Sequence, residues 1–383
     1  MAAVVGTPSR PAVGSWWLVA RAAAALAAGM GLGRFVYTPI LPLMHAQAGL
    51  SPALGADLAT VNYVGYLVGA LAAIVVPRLA VSRTALRVSL VAVAASLALM
   101  PVSETGAVWL VLRLVAGVAS AVVFVVAASS LLHGLRGRDH HLVGWGFGGV
   151  GAGIALSGVL VLVLRDSATW QQAWWSAAGL AALCAIAAWS LPTPSASDGH
   201  VAGKTKNRGK FAILVTSYSL EGVGYIVAGT FLVAAIDQTA SGGVGDAAWV
   251  LVGLAAVPSA ALWAWWSRRW SRPALLVVAL AVQAVGVALP AVVGGAGAAL
   301  LSAVLFGATF LGVATLSLAV GAHLGVPKAV AILTTGYSIG QIVGPLAVEP
   351  LLHSGYHQPL VLSAVIVAIA AVAAGVLRMR SPL

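Results

Sequence analysis

The chain is short of charge. Asp, Glu, Lys and Arg make up 8% of its 383 residues. A soluble globular domain carries roughly 25%, so this sequence cannot coat an ordinary water-facing surface. Acids are scarcest, with nine Asp and Glu against twenty Lys and Arg. The single cysteine, Cys184, stands in an apolar stretch, which excludes a disulfide framework and a cysteine metal site. A phosphate loop, a Gly-x-Ser-x-Gly elbow and an HExxH pair are all missing, and with them three common signatures of enzyme chemistry. The eight histidines fall at the ends of apolar runs or in loops. His140-His141 beside Asp139 is the one cluster, and nothing else has metal-ligand spacing. No metal, cofactor or enzymatic activity is expected.

What the chain has is apolar length. Hydrophobic residues make up 61%, the mean hydropathy is +1.02, and many of the 44 glycines stand among Ala, Val and Leu. Helices packed closely in lipid need such small residues. Apolar runs occur at about 16–42, 55–77, 84–101, 107–133, 140–164, 170–191, 210–237, 246–266, 272–292, 296–323, 328–350 and 357–377. At roughly 20 residues per crossing they predict an all-α protein with twelve transmembrane helices. The third run is short, and the count of twelve leans on it. The first reads as a retained span and not as a cleaved leader. The GxGxxG-like Gly144–Gly153 segment lies inside an apolar span with no preceding strand, so helix packing explains it better than a nucleotide.

The charges then sort by loop. Arg10, Arg78, Arg83, Arg87, Arg136, Arg138, Lys204, Lys206, Arg208, Lys210, Arg268, Arg269, Arg272, Lys328, Arg378 and Arg380 fall on the side of the N-terminus. The opposite loops hold Arg165 with Asp57, Glu104, Asp166, Asp237, Asp246 and Glu349. By the positive-inside rule both termini are expected in the cytoplasm, in a cell inner (plasma) membrane. The net charge of +11 is mostly this bias, so no nucleic-acid partner is expected. Trp16, Trp17, Trp170, Trp174, Trp265, Trp266 and Trp270 sit near span ends, as an interfacial aromatic belt would.

The one long polar stretch, 192–209, reads as a flexible cytoplasmic linker. It separates an N-terminal six-helix half, 1–191, from a C-terminal half, 210–383. The halves echo one another: Gly31 and Gly222, Gly149 and Gly340, and Gly153 and Gly344 all stand 191 residues apart. Agreement at one offset points to a parallel repeat.

Charge inside a bilayer is costly, so each case needs an explanation. Arg34 in the first span has Gly31, Gly33 and Pro39 around it, which implies an irregular, cavity-lining segment. A guanidinium there suits an anionic substrate group, held by two parallel hydrogen bonds; a structural ion pair or snorkelling to the outer interface is the alternative. Glu221 lies at the middle of the seventh span between Tyr218 and Tyr225. A buried carboxylate there suits proton coupling, and a static salt bridge with Arg34 is the alternative. Arg113 lies within two turns of the outer end of the fourth span, close enough to snorkel. Asn62, Tyr63, Tyr66, Tyr337, Ser338 and Gln341 add neutral hydrogen-bonding groups at mid-depth, each readable as helix–helix glue.

The segment Gly31-x-Gly33-Arg34-Phe35-x-Tyr37-Thr38-Pro39-x-Leu41-Pro42 resembles the first-span signature of the YbfB/YjiJ family of major facilitator transporters. Asn62-Tyr63-x-Gly65-Tyr66-Leu67-x-Gly69-Ala70, Glu221-Gly222-x-Gly224-Tyr225-Ile226 and Gly340-Gln341-Ile342-Val343-Gly344-Pro345 resemble its signatures in spans two, seven and eleven. The Arg113-x-x-x-Gly117-x-x-x-Ala121 segment resembles a pattern that proton-driven members of the superfamily carry, where the arginine is associated with proton coupling. The superfamily's loop pattern between spans two and three appears here without its Asp, as Pro77-Arg78…Arg83…Arg87. Arginine contacts to helix-end carbonyls are expected in its place.

The resemblance implies the major facilitator fold and secondary transport. The expected function is alternating-access, proton-coupled movement of a small organic anion by a monomer. Arg34, Tyr37, Asn62, Tyr66, Tyr225, Tyr337 and Gln341 are the expected substrate residues, and Glu221 and Arg113 the proton-coupling ones. The alternative is a proton-driven exporter of hydrophobic or cationic compounds.

Overall fold

A computed structural model describes residues 13–135, 140–165, 167–194, 207–238, 243–326 and 329–380. These residues form thirteen α-helices, a few short helical turns and no strand. In order they are α1 (Val13–Leu26), α2 (Tyr37–Ala48), α3 (Pro52–Val75), α4 (Arg83–Leu99), α5 (Gly106–Gly134), α6 (His140–Leu164) and α7 (Trp170–Ala188). There follow α8 (Arg208–Asp237), α9 (Val244–Trp266), α10 (Arg272–Val292), α11 (Gly295–His323), α12 (Ala329–Val348) and α13 (His357–Met379). The segments α1 and α2 are one interrupted span, so the helices make twelve rods.

Eleven of these rods are long and apolar enough to cross a membrane. The remaining rod, α7, is diluted by Gln171, Gln172 and three tryptophans in its first six residues. The short third run is long and apolar enough for a crossing, since a 3₁₀ turn carries α4 on to Val102. Helices begin where the sequence supplies caps. Ser51, Ser82 and Ser271 each accept the backbone N–H three residues on, and Thr169 and Gln172 form a reciprocal capping box.

Consecutive rods run in opposite directions, so the bundle has two ends. One is basic and holds Arg78, Arg83, Arg87, Arg208, Lys210, Arg268, Arg269, Arg272 and Arg378. The other holds Asp57, Glu104, Arg165, Asp237, Asp246 and Glu349. Arg10, Arg136, Arg138, Asp139, Asp166, Lys204, Lys206, Lys328 and most of the expected linker lie outside the described residues.

The aromatic belt needs correcting. Trp16, Trp17, Trp265, Trp266 and Trp270 are exposed, but Trp170 and Trp174 are buried. Trp170 meets Trp109 edge-on at 5.7 Å, and Trp174 donates to the Met44 sulfur at 3.4 Å. One arginine of the loop pattern makes the expected contact to a helix end, Arg87 Nε donating to the Trp189 carbonyl at 3.1 Å; Arg21, outside that pattern, donates an N–H to the Ser190 carbonyl at 3.4 Å. Both tie α7 to neighbours within the first six rods and do not bridge to the last six.

The repeat glycines carry close packing. A methyl group on Gly31 would overlap the Gly153 backbone, joining the first span to α6. Methyls on Gly340 and Gly344 would overlap the α8 backbone at Ser219 and Val223. The first six rods meet the last six where α6 lies along α9, α3 along α12 and α2 against α8. At that last contact Thr38 donates to the Gly229 carbonyl at 2.6 Å, joining two positions 191 residues apart.

Candidate functional site

The site begins with a failure of helical regularity. Ala27–Leu32 is a π-helical turn, and Gly33 and Phe35 donate back five residues, to Ala28 and Met30. The chain then turns over residues 33–36 and resumes as α2 at Tyr37. Backbone of this kind survives at membrane depth only where protein satisfies its polar groups. Arg113 does so from α5, donating at 3.2 Å to the carbonyls of Gly33 and Arg34. Its guanidinium also lies 4.8 Å from the centre of the Tyr37 ring. It is 1% exposed, so it does not snorkel. Its depth along α5 leaves snorkelling open as an alternative; the side chain instead turns inward to the open carbonyls of the first span.

Arg34 leaves this segment toward the last six rods. One terminal N–H donates to Gln341 Oε1 on α12 at 3.0 Å, and Gln341 Nε2 donates to the Tyr225 hydroxyl on α8 at 3.1 Å. The guanidinium lies 4.2 Å from the ring centre of Tyr66, 5.1 Å from Tyr63 and 5.4 Å from Phe35, contacts that stabilise a desolvated cation. Arg34 is 3% exposed, and its Nε has no partner among the described residues.

Beyond Gln341 an aromatic column runs through the last six rods. Tyr218 stacks on Tyr337 at 4.4 Å, Tyr337 on Tyr225 at 5.4 Å, and Tyr225 on Phe306 and Phe310 at 6.2 and 5.9 Å. Phe35 closes the column against Phe310 at 6.3 Å. Tyr63 donates to Thr230 Oγ1 at 2.7 Å, and the Thr230 hydroxyl in turn donates to the Ile226 carbonyl at 2.7 Å.

Glu221 is elsewhere. It is fully buried, and Gln283 Nε2 on α10 donates to its Oε1 at 3.1 Å. Its other oxygen, Oε2, has no partner among the described residues, nor has Gln283 Oε1. The flanking turns of α8 are pinned to α13, where Ser217 donates to the Ala370 carbonyl and Ser363 to that of Gly224. The face-to-face pairing of Arg34 with Glu221 weighed from the sequence does not form: Arg34 turns to Gln341 and Glu221 to Gln283.

Of the expected substrate residues, Arg34, Tyr66, Tyr225, Tyr337 and Gln341 come together. Tyr37 and Asn62 point away. Tyr37 donates to the Gly55 carbonyl at 2.8 Å and Asn62 to that of Arg113 at 2.9 Å, both joining helices of the first six rods. Sequence reasoning missed Gln283, Thr230 and the column residues Phe306 and Phe310. Gln283 had a legible signal, as the only polar side chain of α10 after Arg272. The aromatic residues had none, because an apolar ring in an apolar span carries no contrast. Among the described residues no three His, Cys, Asp or Glu side chains come together as a metal site would require.

Comparison with known proteins agrees with this architecture. No curated protein matches the chain. A crystal structure of the nucleoside transporter NupG superposes with a TM-score of 0.70 at 12% identity, covering 95% of this chain and 98% of that one. A point mutant of NupG gives the same TM-score and coverage at 14% identity. At such identities the likeness is one of fold. The family model of the uncharacterised MFS-type transporter YbfB matches residues 26–375. That match spans nearly the whole chain, including the interrupted first span, α8 and α12, and so this multi-pass membrane transporter belongs to the YbfB family of the major facilitator superfamily.

Proposed function

We propose that the protein is a proton-coupled carrier of a small organic anion. One observation carries this reading: two opposite charges are buried in the same bundle and do not neutralise each other. A charge is expensive to bury, and a static pair would be the cheap arrangement. Arg34 spends one donor on a neutral amide and keeps the rest of its fork for a carboxylate or similar group. Tyr66, Tyr225, Tyr337 and Gln341 surround that anion site.

Glu221 has no cationic partner among the described residues. A proton on Oε2, donated to Gln283 Oε1, would neutralise the carboxyl and satisfy both unpartnered oxygens at once. Arg113 serves this site by holding the backbone that carries Arg34. Residues 1–191 and 210–383 act as two six-helix halves that rock about the site, joined by the cytoplasmic linker at 192–209. The basic end faces the cytoplasm across a cell inner membrane.

The test is transport in reconstituted vesicles with an imposed pH gradient, over a panel of organic acids. Arg34→Ala abolishes uptake, Arg34→Lys weakens it, and Glu221→Gln retains anion binding but loses acceleration by the gradient. Full gradient-driven transport in all three variants would overturn the proposal. The Tyr218–Tyr337 stack beside Gly222, one residue from Glu221, favours a second reading: export of lipophilic cations. Binding of tetraphenylphosphonium that is lost in Glu221→Gln and kept in Arg34→Ala would select it.

A further inference from the structure

A groove lies on the outer face of the bundle, between α4 and α7. Its cavity is about 580 Å³ and is bounded by Leu90, Ala94 and Ala98 on α4 and by Ala178, Ala182 and Ile186 on α7. Its floor is small side chains, and a methyl group added at Gly179 would meet nothing. Two tryptophans close its ends. Trp175 donates to the Ala98 carbonyl at 3.2 Å toward the acidic end, and Trp189 stands at the basic end.

At that basic end the apolar channel meets positive charge. The Arg87 guanidinium lies 5.0 Å from the centre of the Trp189 ring, with Nε held by the Trp189 carbonyl. Arg21 reaches the adjacent Ser190 carbonyl from α1. Each arginine therefore has its position fixed by one bond and keeps further N–H groups for another acceptor. Neither α4 nor α7 contains an Asp or Glu to neutralise them.

We infer that this groove binds one anionic phospholipid, its acyl chain between α4 and α7 and its phosphate on Arg21 and Arg87. The groove also touches the transport site indirectly. Val93, one residue from the lining Ala94, would meet a methyl on Gly33 at 3.0 Å, so a chain in the groove braces α4 against the interrupted segment that carries Arg34. This inference does not depend on what is transported.

Native mass spectrometry of the purified full chain, titrated with phosphatidylglycerol or phosphatidylcholine of matched chains, tests it. The wild type should retain phosphatidylglycerol about 10- to 30-fold more strongly, as two arginines at a membrane surface give. Arg21→Ala with Arg87→Ala should bind the two lipids equally, and Lys at both positions should restore most of the preference. Ala182→Trp, which fills the groove, should lose retention of both lipids while the melting temperature is kept. No preference in the wild type, or a preference that survives loss of both arginines, would overturn the inference. If Ala182→Trp melts early, the charge variants alone decide.

Discussion

Arg34 and Glu221 are both buried ionisable groups at mid-bundle, yet they live in different settings. Arg34 hangs from irregular backbone, crosses the seam between the first and last six rods, and is held by an amide and three rings. Glu221 sits on regular helix inside the last six rods, touched by one amide and left with one oxygen unpartnered. A residue on a seam is remade whenever the two sides move. A residue inside one side keeps its neighbours through such a movement, so its charge is better changed by a proton than by a new partner. Under the proposed function, this contrast gives binding to Arg34 and coupling to Glu221.

The comparison can be broken by substitution. The largest effect is expected for Arg34→Ala, which should lower uptake or ligand affinity about 100-fold or more, because a desolvated charge contact is lost. Equal affinity in wild type and variant, measured by scintillation proximity, would remove Arg34 from the seam site. Arg113→Ala should act on folding, leaving the Gly33 and Arg34 carbonyls unsatisfied and costing about 3 kcal/mol of stability. A melting temperature unchanged in detergent would show that Arg113 does not hold that turn.

Gln341→Leu should weaken ligand binding about tenfold, since it removes a hydrogen bond to a charged group. Gln283→Leu should leave ligand affinity within about threefold and move the pH profile of transport, the signature of a positioning residue. The reverse pattern would exchange the two amides' roles. The smallest effect belongs to Thr38→Val, which removes one bond between α2 and α8 and should cost about 1 kcal/mol. Its readout is faster opening at the acidic end, seen as increased labelling of a cysteine introduced at Asp57.

Much of this was legible in the order of residues. Low charge and long apolar runs fixed a helical membrane bundle, because lipid admits few other solutions. The sorting of Arg and Lys to alternate loops gave the bundle its two ends. The Gly31, Gly33 and Pro39 cluster marked the interrupted span, and scarcity marked Arg34, Arg113 and Glu221. Side-chain direction was not legible. Trp170 and Trp174 lie near a span end, as interfacial tryptophans do, and only packing against Trp109 and Met44 shows that they face inward. Tyr37 and Asn62 looked like site residues by depth, and their partners prove to be backbone carbonyls of neighbouring helices.

The sequence by itself determined which stretches are long and apolar enough to span a membrane, since hydropathy along a helix is a local property. Only the tertiary structure decided who meets whom. Gln341 lies 307 residues from Arg34, and Gln283 lies 62 from Glu221. No local pattern encodes those distances, because rotation of a helix about its own axis is set by the neighbours that pack against it.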